Sequence, residues 1–262
     1  MRADITRIDV SARMRSLIGY SLGLVLYALV VVALYPAFEH STSLDKLVHN
    51  DSTAAALFGI TGKISSSGGW LNANIYANFF PLVMLLLTIG YGAAALAGQD
   101  ENGTLCLLAA LPMRRRTIVF QKVWAMTVQA VVLAVGVAIC VFIGRSFDLT
   151  VTLGNVVSVS AAVCLLGLDF GLITLALGAF TGRRGTALGV GSGLAAASYL
   201  VSSLAPVASW IRPGRFVSLF YWAVGNDQIS SGVSLGDYSV LVAVALCAVY
   251  ATVIGFRRLD VH

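Results

Sequence analysis

The chain has 262 residues, 58% hydrophobic and only 11% charged, with a mean hydropathy of +0.87. A soluble domain carries about 25% charged residues, so this chain has too little polar surface to cover itself in water and reads as an integral membrane protein. Its net charge is +5, but the basic residues sit at the ends of apolar runs, where they mark membrane orientation, and no RNA- or DNA-binding motif is present.

The chain begins MRADITRIDVSARMRSLIGY. Ile5, Ile8 and Val10 alternate with Asp4, Arg7, Asp9 and Arg13. The pattern predicts an amphipathic helix over about residues 3–15, lying at a membrane surface; a frayed tail with orienting arginines is the plainer alternative. The next run, residues 17–35, contains no charge. A helix rises 1.5 Å per residue and about 20 residues cross the hydrocarbon core, so this is a first span. It is long and ends without a small-x-small site, so no cleavable signal peptide is expected.

Residues 36–74 are too many for a simple hairpin. Within them SLDKLVHNDSTAAALFGI has apolar residues near helical spacing and predicts a short surface helix. The following GKISSSGG lacks the GxxxxGK[ST] spacing of a phosphate loop. Spans two to five follow at residues 75–98, 123–144, 153–180 and 186–205. Span four carries Asp169, and the small residues of span five suit close helix packing. Residues 206–237 contain RFVSLFYWAVGND, apolar and aromatic but too short to cross. It predicts a re-entrant or interfacial segment over about 215–236 after a turn at Pro213-Gly214. Phe216, Phe220, Tyr221 and Trp222 are its candidate gate residues, while anchoring at the headgroup belt is the plainer reading of Trp210 and these aromatics. The last span is residues 238–256. The expected fold is therefore an all-α polytopic membrane protein, a single transmembrane domain with six transmembrane helices. The runs are continuous and too long for the short alternating strands of a β-barrel.

Placing both termini in the cytoplasm puts Arg2, Arg7, Arg13, Arg15, Arg114, Arg115, Arg116, Lys122, Arg183, Arg184, Arg257 and Arg258 inside. Only Lys46, Lys63, Arg145, Arg212 and Arg215 then lie outside. That bias favours the orientation. Cys106, Cys140, Cys164 and Cys247 are isolated, and His40, His49 and His262 are scattered, so neither a metal site nor a disulfide framework is expected.

Two features carry candidate function. Asp169 lies near the middle of span four, where a charged group is costly and burial raises a carboxyl pKa. It either lines a polar substrate path, or hydrogen-bonds a neighbouring helix, or sits in a span tilted or broken enough to bring it to a surface. The second feature is GQDENGTLCLLAALPMRRRTIVFQK, between spans two and three. Leu105, Leu108 and Ala109 fall at i, i+3 and i+4. Asp100 and Glu101 stand at the N-terminal end of a predicted helix over about 100–112, where the helix dipole favours acids, and Pro112 ends it. Such a helix either lies in headgroups or docks a cytoplasmic partner.

This segment resembles the permease subunits of ABC-2 type transporters, bacterial multidrug and antibiotic export permeases among them. The matching residues are Glu101, Gly103, Thr104, Leu105, Leu111, Pro112 and Arg114 to Arg116. GAFTGRRG closing span four, SYLVSSLAP with SLFYWAVGND, and the final GFRRLDV extend the likeness over nearly the whole chain. The resemblance implies an ABC-2 type, type V exporter-like transmembrane domain in a bacterial plasma membrane. It implies two permease subunits, identical or related, and two copies of a separate cytoplasmic ATPase that holds ATP and Mg. The residues it assigns to coupling with that ATPase are Glu101, Gly103, Thr104, Leu105, Leu108, Pro112 and Arg115. It gives Asp169 no role. It leaves this chain with no cofactor, no catalytic residue and no nucleic-acid partner, and gives it an amphiphilic or drug-like substrate in contact with lipid. A non-transporting membrane regulator or assembly factor, and an integral membrane enzyme, are the rival readings; HExxH, paired intramembrane acids and a Ser/His arrangement are all missing from the sequence.

Overall fold

Each long apolar run folds into one helix, and the polar and glycine residues beside it set where it starts and stops. The computed structural model describes residues 4–38, 66–105, 114–147, 149–205, 212–225 and 228–258. The helices are α1 (Asp4–Ala12), α2 (Met14–Phe38), α3 (Ser67–Glu101), α4 (Arg115–Ile143), α5 (Leu153–Thr181), α6 (Arg184–Leu204), α7 (Leu219–Val224), α8 (Gln228–Ser231) and α9 (Leu235–Arg258). Six of them, α2 to α6 and α9, are long and apolar enough to cross a membrane. No strand occurs among the described residues. The surface helix expected between residues 43 and 60, and Leu108 and Pro112 of the predicted 100–112 helix, lie outside them.

The start signals are local. Ser66 Oγ accepts the Gly69 N–H at 3.1 Å and caps α3. Ahead of α9, Ser234 N–H bonds Asp237 Oδ2 and Asp237 N–H bonds Ser234 Oγ, both at 3.1 Å, a reciprocal cap. At the end of α5, Gly182 takes φ +63° and returns its N–H to Gly178 O at 2.9 Å, the left-handed stop that lets α6 begin two residues later. The helices outrun the hydropathy-defined spans. α3 begins at Ser67 rather than at 75, and α4 at Arg115 rather than at 123, because Leu71 and Ile118 in these flanks are themselves buried against neighbouring helices.

α3 is not a uniform α-helix: residues Asn72–Phe79 and Ala94–Gly98 are π-helical. Side-chain amides brace the first stretch, with Asn74 Nδ2 donating to Trp70 O at 2.9 Å and Asn78 Nδ2 to Ala73 O at 3.2 Å. π-turns inside long helices are commonly found at functional sites.

α5 is the most buried of the six long helices and forms the axis of the bundle. Glycines let its backbone approach α3: a methyl on Gly92 would strike the Gly171 carbonyl oxygen and come within 3.1 Å of Leu175 N. Backbone cannot move aside as a flexible side chain can. Gly92→Ala is therefore expected to cost about 1–3 kcal/mol, read as a lower unfolding temperature of the purified protein. Gly19→Ala, where nothing lies within 4 Å of the added carbon, serves as the neutral control. Equal stability of the two variants would disprove the close approach.

The bundle has two ends. The basal end gathers α1, the start of α2, the end of α3, the start of α4 and the end of α9. Here Thr6 Oγ1 donates to Gln121 O at 3.1 Å and Arg115 Nη1 to Phe256 O at 2.9 Å. The distal end is tied by Tyr35–Ser67 at 2.9 Å, by Asn155 Nδ2 to Ile229 O at 3.2 Å, and by Tyr238 O–H to Ser158 O at 2.5 Å.

Candidate functional site

The ENGT sequence is a helix stop. Gly103 has φ +67° and donates its N–H to Asp100 O at 2.9 Å, while Asn102 N–H returns to Gly98 O. A side chain at Gly103 would be strained by that φ whatever the space around it. Asp100 and Glu101 therefore belong to the C-terminal turn of α3, which corrects their expected place in the first turn of a new helix. Acids are disfavoured at a helix C-terminus. Glu101 is useful there because it leaves its own helix: its Oε1 accepts the backbone N–H of Arg184 at 2.8 Å, at the head of α6. The carboxylate thus caps the positive end of another membrane-length helix. Thr104 Oγ1 bonds back to Gln99 O at 3.1 Å, and Leu105 is fully buried in the main core. Arg115 begins α4 and holds the last turn of α9, with its guanidinium 5.6 Å from the Phe256 ring centroid.

Beneath this corner lies a buried polar cluster that the sequence reading missed. Lys122 Nζ is 2.7 Å from Asp9 Oδ2 and 2.9 Å from Asp9 Oδ1, and donates to Gln99 Oε1 at 2.9 Å. Tyr91 O–H donates to Asp9 Oδ2 at 2.7 Å. Lys122 is 0% and Asp9 8% exposed. The sequence alone marks Lys122 as a positive-inside charge and Asp9 as part of the polar face of a surface helix. In the fold the pair pins α1 to α3 and α4. One signal was present: Lys122 falls on the stripe of Ile118, Ala125, Met126 and Gln129, which is the buried face of α4.

The distal end holds the aromatic segment. Arg212–Val217 is a 3₁₀ turn and α7 follows it. Phe220 is buried, 6.2 Å from Phe170 and 5.3 Å from Tyr199 between ring centroids, so α7 is wedged among α3, α5, α6 and α9. Phe216, Tyr221 and Trp222 stay nearer the surface in one aromatic cluster, with the Arg215 guanidinium 4.8 Å from the Phe216 centroid. Phe220 also lines a groove of about 400 Å³ between α3 and α6, walled by Leu82, Leu86 and Ile89. Its polar lining is Ser192 and the pair in which Tyr199 O–H donates to Asn78 Oδ1 at 2.7 Å.

Asp169 stands apart from both ends. α5 is unbroken over Leu153–Thr181 and Asp169 is 0% exposed, so the span is not interrupted and does not bring the acid to a surface. Ser158, Asp169 and Phe180 recur every eleven residues, three turns, on one stripe of α5. The Ser158 carbonyl oxygen accepts the Tyr238 O–H, and Ala179 and Phe180 lie against Gly255, so α5 packs along α9 at both ends. Neither Asp169 oxygen has a hydrogen-bond partner among the described residues, and the residue does not line the groove.

Among the described residues no group of three or more His, Cys, Asp or Glu side chains could hold a metal ion. No match is found among curated proteins. The family model described as ABC-2 family transporter protein matches residues 3–252. Six membrane-length helices and a match over almost the whole length lead to one conclusion: this polytopic membrane protein belongs to the ABC-2 transporter family.

Proposed function

We propose that the chain is the membrane-spanning permease half of an ATP-driven exporter, moving an amphiphilic, drug-like compound outward when a separate ATPase subunit binds and hydrolyses ATP. In this reading the protein sits in a bacterial plasma membrane with the basal end and both termini in the cytoplasm. The observation that carries it is the bond from Glu101 to the head of α6. A partner pressing on the corner after α3 meets a chain already joined to α6 through Glu101, to the core through Leu105, and to α1 and α4 through Gln99, Asp9 and Lys122. Displacement at the corner would be delivered to several spans at once.

Two further features support the reading. The groove between α3 and α6 has mostly apolar walls with a few polar groups, Asn78, Tyr199 and Ser192, which suits an amphiphile better than an ion or a sugar. Beside it, Gly185, Gly189 and Gly193 form a stripe on α6 with nothing within 4 Å of an added carbon. Small residues spaced by four let a second membrane helix approach closely, and a second permease subunit seated there would roof the groove.

The test is copurification and reconstitution. The protein is expected to purify with a soluble ATPase encoded beside it and, in vesicles, to move a fluorescent amphiphile only when ATP is supplied. Gly189→Leu is expected to abolish that transport and to shift the purified permease from a pair to single subunits. A variant that remains paired and transports normally would refute the assembly, and failure of any ATPase to associate would favour a non-transporting regulator.

A further inference from the structure

A second cavity, of about 230 Å³, opens at the basal end between α1, the π-helical turn of α3 and the head of α6. A single water needs only about 10–15 Å³, so this space takes a larger polar group. Its charged wall residues are Asp9, Arg13 and Arg184. Asp9 is already spoken for by Lys122 and Tyr91. The Arg184 guanidinium makes no hydrogen bond or ion pair with any described residue; its stem lies across Gly98, 3.1 Å from where a Cβ would stand. Arg13 makes one long bond, to Gly90 O at 3.5 Å, and lies 5.2 Å over the Tyr91 ring. Burial lowers the Arg13 pKa, and the nearby Arg184 charge acts in the same direction. Two under-coordinated guanidinium groups therefore face one polar cavity. The Glu101 carboxylate Oε1 accepts the Arg184 backbone N–H, not its guanidinium.

We propose that this cavity binds the phosphate of an anionic membrane lipid, with Arg13 and Arg184 as its ligands. Guanidinium groups match phosphate oxygens in planar, bidentate geometry. The lipid source follows from the surroundings: Ile8, Met14 and Ile18, on the same segment as Arg13, are 61%, 53% and 56% exposed, an apolar flank for acyl chains beside a cationic pocket. A bound headgroup would join residues 4–13 directly to the head of α6.

The test needs neither the ATPase nor a substrate. The purified full chain is placed in nanodiscs of phosphatidylcholine with or without phosphatidylglycerol, and retained lipid is counted by native mass spectrometry. Wild type is expected to retain phosphatidylglycerol preferentially. Each of Arg13→Gln and Arg184→Gln is expected to weaken retention roughly fivefold, as removal of one near-surface arginine contact does. Arg184 is exposed, so its variant leaves the fold intact, and its backbone bond to Glu101 survives. Arg15→Gln, an exposed arginine outside the cavity, is the control and should retain the lipid. Equal loss in all three variants would mean a diffuse basic surface and would overturn the site. Saturation by inorganic phosphate with no preference between the two lipids would overturn the lipid source.

Discussion

Lys122→Met is expected to be among the most destabilising single substitutions in this protein. An exposed ion pair contributes roughly 0–1 kcal/mol, but Lys122 is fully buried and Asp9 nearly so. Removing the ammonium leaves a largely buried carboxylate with Tyr91 and a distant Gln99 amide as its remaining partners among the described residues. Breaking a buried pair in this way typically costs about 3–5 kcal/mol. The double variant Asp9→Asn with Lys122→Met should recover most of the loss. An asparagine can still accept the Tyr91 O–H and can donate to Gln99 Oε1, so no charge is left uncompensated. Thermal unfolding of wild type, both single variants and the double variant in one detergent gives the coupling directly. Losses that simply add would disprove the pairing.

Glu101→Arg is expected to separate ATP hydrolysis from transport. The substitution removes the acceptor at the head of α6 and sets a cation beside the positive end of that helix and close to Arg184. Glu101 is exposed and makes one capping bond among the described residues, so the membrane fold should survive. Transport by the reconstituted complex is expected to fall about 5–150-fold, the range of a coupling free energy of 1–3 kcal/mol, while ATP hydrolysis continues. Glu101→Gln keeps a carbonyl oxygen for the Arg184 N–H and should retain most transport. Normal transport by the arginine variant would remove Glu101 from the coupling path.

The two variants touch the same corner from opposite sides, and they differ in how legible they were. The segment GQDENGTL singles out Glu101, but the structure moves it from the start of one helix to the end of another. Asn102-Gly103 is a helix stop, and the acid ends α3 instead of starting the next helix. The local signal, a glycine able to take positive φ just past a long helix, was present in the sequence. In the sequence Lys122 stands out only as a charge on the inner side. Its place on the apolar stripe of α4 was readable, but its partner is Asp9, 113 positions earlier. No local pattern links residues so far apart. Phe220 was grouped with Phe216, Tyr221 and Trp222, yet it alone of the four is deeply buried, because α7 turns that face toward Phe170 and Tyr199.

Hydropathy by itself determined that there are six membrane-length helices and roughly where each lies, because the cost of exposing apolar side chains to water, and backbone polar groups to lipid, acts on every residue of a run regardless of its neighbours. Only the tertiary structure decided which polar residues inside or beside those helices meet. Asp9 finds Lys122, Glu101 finds the head of α6, and Asp169 is buried in α5 with no hydrogen-bond partner among the described residues. Those outcomes depend on close approaches such as Gly92 against Gly171, where the fit of one helix surface to another sets distance and rotation, and a pattern along one strand of sequence does not contain the surface it will meet.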